Sequence, residues 1–280
     1  MSPGSDALST ARGDVRDGVA AIEHFREVLV SRRVGPKMLA QAMPEMAAGC
    51  APLRAALSAL AEALCAKIGS DADGVAAVGG LLIHAARCVD ELDAALATHA
   101  GSAVDARVRL AIESVVRRVA RDLGGCLRLC GMLAAPVTSE TVTIDFSDAL
   151  AARRAAPVVA GAKRVGASTE VVATVEIRTA ELVVGDAQLL LELLDHAVAW
   201  VARARVSAPR IVVATGPEGF PVFTVEGAPA GMVHSAGGLA FHAPLRDELP
   251  HEAAVVRAAA RHAGLKMTVA EDGSSVIIAL

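Results

Sequence analysis

Apolar residues recur at helical spacing through the first half of the chain and at strand spacing through the second. From Asp14 to Val34 (DVRDGVAAIEHFREVLVSRRV), Val19, Ile22, Phe25, Val28 and Leu29 fall on one side, and Gly35-Pro36 stops the run, which predicts an amphipathic helix. A second helical stretch is expected from Lys37 to Ile68, broken or bent near Pro44 and Pro52, and GSDADG (Gly69 to Gly74) reads as a loop. Two longer patterns follow, Val75 to Thr98 and Val104 to Leu133, joined by HAGSA, as in an antiparallel helical hairpin. In the second, Val108, Ile112, Val115, Val116, Val119, Leu123, Leu127 and Cys130 form a stripe, with Arg109, Arg117, Arg118 and Arg121 on the remaining surface. One hairpin offers too little surface to bury such a stripe. Docking on a second copy, as a homodimer, is therefore expected to complete a four-helix bundle.

After Pro136 the spacing changes. TVTIDF, VVATVEIR, ELVVGD, RIVVATG, PVFTVEG, KMTVAE and SVIIAL are short β-branched runs separated by turn residues and helices. The predicted order is strand, helix (Ser147 to Val165), two strands, a helix in GDAQLLLELLDHAVAW, two strands, a Gly/Pro/Ala-rich loop, a helix (Pro250 to Ala263) and a closing hairpin. The fold class expected is α+β: an all-helical N-terminal region (1–74), a dimerising helical hairpin (75–135), and an α/β sandwich with helices on one face of a sheet (136–280). The pattern leaves open whether residues 1–74 stand alone or lengthen the bundle.

Composition adds limits. Of 280 residues, 54% are hydrophobic and 2% aromatic, with no Tyr, so the core is built from small and branched aliphatics and the abundant Ala favours helix. A net charge of −4 carries no electrostatic footprint for nucleic acid, and no Lys/Arg block offers itself to an anionic membrane. No run of 18 or more apolar residues is free of charge, and the opening MSPGSDALSTARGDVRDG lacks the order of a secretory signal, so a cytoplasmic protein is expected. Five cysteines, Cys50, Cys65, Cys88, Cys126 and Cys130, are scattered over helices, which argues against a disulfide framework. Cys126 and Cys130 share a helical face that could hold a metal, but with no second pair nearby they read as buried thiols, and no metal is assigned.

VVGDAQLLLELLDHAVAWVARA and the terminal HEAAVVRAAARHAGLKMTVAEDGSSVIIAL resemble bacterial sensor histidine kinases, in which a dimerising helical hairpin precedes an ATPase-like domain shared with gyrase and heat-shock chaperones. The resemblance runs from about Val75 to Leu280. It implies a nucleotide site, and the residues at that site depart from the family pattern. His196 stands where the family's Asn helps hold Mg²⁺, and Glu192 stands at the first Asn position, bringing negative charge near phosphate. Glu226-Gly227 occupies the place of the adenine-binding Asp and its flexible glycines, whose spacing is lost. The last glycine segment reads RDELPHE, and Pro250 removes a donor. These positions read as a degenerate ATP site with no cofactor, and SAGGLAFHAPL as the remnant of a shortened lid. Glu192 and His196 share one helical face, either as the relic of a nucleotide-facing row or as a plain solvent edge.

The resemblance also implies a phosphoacceptor histidine in the first hairpin helix. IHAARCVDEL offers His84 and Arg87 at the family spacing, with Ala85 in place of the acidic neighbour and Val89 in place of the proline; His24 in IEHFRE is a rival. Three functions follow: a dimeric phosphotransfer or docking protein for response-regulator receiver domains with ATPase activity lost, a pseudokinase scaffold binding another protein through its N-terminal helices, and an active kinase with unorthodox nucleotide boxes. Exposure of His84 separates the first from the second, and binding of ATP with Mg²⁺ the third from both.

Overall fold

The computed structural model describes residues 3–31, 33–100, 104–134, 143–145, 164–165, 168–177, 182–184, 187–204, 209–217, 219–227, 239–244 and 249–279. It divides into two compact units, one of Met1–Ala134 with Leu249–Val255 and the other of Ala135–Glu248 with Val256–Leu280.

The first unit holds four long helices: α1 (Pro3–Val30), α2 (Pro36–Ile68), α3 (Ala72–Thr98) and α4 (Ala106–Ala134). Each packs on its sequence neighbour, and α4 returns to pack on α1, which closes a four-helix bundle within one chain. Connections this short make successive helices antiparallel. Along α2 the buried residues Leu39, Met43, Met46, Cys50, Leu53, Leu57, Leu60 and Leu64 alternate in steps of three and four, the spacing of a bundle seam.

Helix α1 starts well before Asp14 because Leu8, Ala11 and Val15 extend the row of Ile22, Phe25 and Leu29, and it ends at Val30. The Arg109 guanidinium of α4 donates to the carbonyls of Leu29 and Ser31, which satisfies orphan acceptors at the helix end and sets a cation at its negative pole. Helix α2 runs unbroken through Pro44 and Pro52. Both prolines are exposed, as are Ala40 and Ala48 one turn earlier, so the carbonyls that lose their amide partners can bond water. Where α1 meets α2, Gly18 permits close approach: a methyl group there would lie 2.6 Å from Leu53 Cδ1. Asp71 caps α3 by accepting from the Gly74 amide at 3.1 Å, and Asp105 caps α4 through the Val108 amide at 2.8 Å. Arg54 of α2 bridges to Asp90 at 2.7 Å and Asp93 at 3.1 Å on α3.

This closure changes the reason for expecting a second copy. Ile112, Val116 and Val119 have no solvent exposure in the single chain, because α1 and α3 supply the surface that the hairpin alone lacks. The helices before residue 75 therefore complete the bundle with the hairpin. Helices α2 and α3 are long and apolar enough, by length and composition, to cross a membrane, and each turns its apolar row into the bundle.

The second unit is α+β. Strand β1 (Thr143–Asp145) pairs with β4 (Leu182–Val184). A larger mixed sheet takes the order β2 (Arg164–Val165), β3 (Ser168–Ile177), β5 (Pro209–Thr215), β6 (Pro221–Gly227), β9 (Ser275–Ala279), β8 (Lys266–Val269). Its parallel pair, β3 and β5, flanks in sequence the helix α5 (Ala187–Arg203), which packs on the sheet. Leu193, Leu194, Ala197 and Val201 of α5 are fully buried, as are Ile211, Phe223, Val225, Val276 and Ile278 of the strands. Helix α6 (Glu252–His262) ends at Gly264, whose φ of 78° is the left-handed conformation that favours glycine in a helix-ending turn.

Two expectations change here. Arg164 and Val165 form a strand with Ser168 and Thr169 rather than the end of a helix; the rest of the predicted Ser147 to Val165 helix lies outside the described residues. The segment read as a lid remnant contains β7 (Leu239–Pro244), antiparallel to Ser168–Ala173 of β3. Its backbone ladder with β3 supplies hydrogen-bond partners to that half of the strand.

The bundle closure predicts the effect of charge in the α4 stripe. Carboxylates at two fully enclosed positions cost about 3–5 kcal/mol each as uncompensated buried charges, comparable to the whole stability of a domain. Ile112→Asp combined with Val116→Asp should abolish the cooperative thermal transition and most of the helical circular dichroism, and not merely separate folded subunits.

Candidate functional site

The polar cluster of the bundle lies between α3 and α4. Core positions on α3 run Leu81, Ala85, Cys88, Leu92 and Leu96, and His84 flanks that row one turn before Cys88. On α4 the row Val119, Leu123, Cys126, Cys130 has Asp122 beside it. Asp122 is 8% exposed amid aliphatic neighbours, a position that charge tolerates only with partners. Its Oδ1 accepts from Arg121 Nε at 2.8 Å. Its Oδ2 faces His84 Nε2 at 3.8 Å and Cys88 Sγ at 4.0 Å, and Sγ lies 3.6 Å from the same His84 nitrogen.

His84 is half-buried, with 28% of its side chain open to solvent, so the ring lines the bundle surface with one edge turned to Asp122 and Cys88. At 3.8 Å the carboxylate is within charge-pairing range but beyond a direct hydrogen bond. Burial pushes the Cys88 thiol up to about 11, and the Asp122 charge adds to the shift, so near neutrality Cys88 carries its proton as a weak donor beside the Asp122 carboxylate and the His84 ring nitrogen.

The remaining candidates stand apart from this cluster in chemistry. Arg87 is exposed on α3. His24 is 79% exposed on α1, with Glu27 at 4.0 Å, and is an ordinary surface side chain. Cys126 and Cys130 are buried free thiols, and desolvation holds the Cys130 thiol at about 12 and raises that of Cys126 further.

In the second unit, Glu192 and His196 lie one turn apart on α5, both half-buried, and the His196 ring is tilted 45° to Trp200 with centroids 6.1 Å apart. Glu226 sits on β6 directly across from Arg210 of β5, with Oε1 and Nη2 3.9 Å apart. The Glu226 carboxylate thus has a guanidinium beside it. Before α6, in the stretch that groups with the helical unit, His251 has φ 65°, a conformation glycine adopts readily and most side chains resist. The loop after Gly227 and residues 246–248 of RDELPHE lie outside the described residues.

Sequence reasoning singled out His84 and missed both of its partners. His84 and Cys88 are four apart in the very stretch read for a phosphoacceptor, and Asp122 is one of two acids in α4, with Glu113. The signal available was the carboxylate between Val119 and Leu123.

The buried thiols predict alkaline sensitivity. Cys50 and Cys88 have folded values near 11 against an ordinary 9.0, both chiefly through burial. A raised folded value means that the unfolded chain loses its proton first, so the stabilising contribution is complete below about pH 9 and disappears as pH rises toward about 11. Urea midpoints should hold steady around neutrality and fall through that window, less steeply in Cys50→Ala than in the unmodified chain at equal pH.

No family model and no curated protein matches the chain. Among solved structures, Acinetobacter baumannii histidine kinase AdeS is similar over 69% of this chain and 92% of its own, at 14% identity and a TM-score of 0.36.

Proposed function

We propose that the chain is a cytoplasmic two-component-type signalling protein that exchanges a phosphoryl group with response-regulator receiver domains on His84, and that its second unit is a histidine-kinase-type ATPase-like domain with a degenerate nucleotide site. The observation that carries the reading is the half-exposed His84 with the Asp122 carboxylate 3.8 Å from Nε2. Ala85 leaves the sequence without the family's acidic neighbour, and Asp122 supplies one from the facing helix.

In this reading an unprotonated imidazole nitrogen attacks the phosphorus of a receiver's aspartyl phosphate. The new N–P bond forms as the acyl O–P bond breaks, and the receiver's aspartate leaves as carboxylate. The proton on the other ring nitrogen passes to Asp122 or to water. Exposed Arg87, three residues on, is available to the phosphoryl oxygens. Because the donor is already activated, the protein needs no nucleotide. Glu226 beside Arg210 and His196 in place of a hard oxygen ligand both support loss of ATP chemistry. A second copy is not required to cover the α4 stripe, so the proposal rests on docking to a receiver; a homodimer through the hairpin would have to use another surface.

His84→Gln should abolish acid-labile labelling by phosphorylated receiver domains, with His24→Gln unaffected and circular dichroism unchanged in both. Normal labelling of the His84 variant overturns the relay. The alternative is then a scaffold, favoured by the contact of Cys88 Sγ with His84 Nε2 at 3.6 Å, which ties the ring to the bundle. Separately, calorimetric titration with ATP and Mg²⁺ should give a dissociation constant weaker than about 100 μM, roughly 5.5 kcal/mol. Tighter binding would revive the active-kinase reading.

A further inference from the structure

We propose that His84 Nε2, Cys88 Sγ and Asp122 Oδ2 form a three-ligand site for a borderline-soft divalent transition metal of the Zn²⁺ class, with its fourth position open to solvent. The site stands on geometry and does not depend on the phosphotransfer reading.

The three atoms lie mutually within 4.8 Å, on sides of 3.6, 3.8 and 4.0 Å. A triangle with those sides has its centre about 2.2 Å from each corner, inside the roughly 2.0–2.3 Å range of Zn–N, Zn–O and Zn–S bonds. A tetrahedral ion needs ligand separations of about 3.3–3.6 Å, so contraction by a few tenths of an ångström seats it just off the plane. That shift is within the reach of side chains on two packed helices. The donors also agree: one imidazole, one thiolate and one carboxylate suit zinc or cobalt, whereas thiolate disfavours Mg²⁺ and Ca²⁺.

Charge closes as well. When the ion binds, the Cys88 thiol releases one proton to solvent and an S–metal bond forms, so thiolate, carboxylate and dication sum to zero in a cluster whose Cys88 is 4% and Asp122 8% exposed. Arg121 holds the other carboxylate oxygen at 2.8 Å, fixing Asp122 with Oδ2 toward the site, the orienting contact that metal ligands commonly have. His84, partly open to solvent, gives a path for entry and leaves the fourth position for water.

The test is titration of the full chain, freed of metal by a chelator, with Co²⁺ alone. The expected result is one Co²⁺ per chain, a thiolate-to-cobalt charge-transfer band with the visible bands of tetrahedral cobalt, and loss of both on adding Zn²⁺. Cys88→Ser should remove the charge-transfer band and Cys126→Ser should keep it. His84→Gln lies at a half-exposed position that tolerates replacement, and it should weaken binding by more than about 100-fold, since loss of an outer partner alone costs about 10–100-fold. The site is overturned if the unmodified chain shows no such band, if the band survives Cys88→Ser, or if His84→Gln binds Co²⁺ as tightly as the original. The first and last outcomes need no folded Cys88 variant.

Discussion

The bundle depends on one constraint: four apolar rows, each stepping by three and four residues, must close on one another within a single chain. Loops too short for any other path hold the helices as antiparallel neighbours, and α1 returns to α4 to cover Ile112, Val116 and Val119. Aliphatic burial of about 1.5–3 kcal/mol per large side chain supplies the drive. The polar ties refine it. Arg109 holds the end of α1, and Arg54 links α2 to α3, yet neither would gather the helices without the seam.

Within that seam Asp122 is the exception. A carboxylate beside a row of valine, leucine and cysteine loses solvation, and the protein compensates with Arg121 on one oxygen and a histidine and a thiol beside the other. An aliphatic residue would cost less there. Such a local departure from an otherwise consistent pattern is where function is expected to be found, because the surrounding core has stability to spare. Both uses proposed for His84 follow from this one carboxylate.

Helix existence was legible because periodicity survives over long stretches, and the hairpin bounds agree with α3 and α4 to within three residues. What local pattern could not carry was which surface covers which. The α4 stripe needs a partner, but spacing cannot distinguish a second copy from α1 of the same chain. Pro44 and Pro52 leave α2 unbroken for a related reason: the carbonyls they free face solvent, and that exposure emerges only from the packing. Leu239 to Pro244 read as loop because glycines precede it, while its strand character comes from pairing with β3. For the site, His84 was visible as a spacing, but the Asp122 contact joins residues 38 apart in sequence (122 − 84) and needs the helix crossing to exist.

The triangle sets a limit on His84 that neither partner sets alone. Its Nε2 is the ring atom nearest both Oδ2 and Sγ, so it is the nitrogen through which a metal would bind and the one whose proton Asp122 is placed to receive. A ring held through Nε2 by a metal has that lone pair engaged, and its attack on phosphorus would have to come from Nδ1, the nitrogen nearer the helix backbone. Without metal, the tautomer decides the partner: a protonated Nε2 faces the Asp122 carboxylate, and an unprotonated Nε2 faces the Cys88 thiol. A metal on Nε2 would take the place of the proton that Asp122 is set to receive, so the two proposals share that nitrogen, while attack on phosphorus falls to Nδ1.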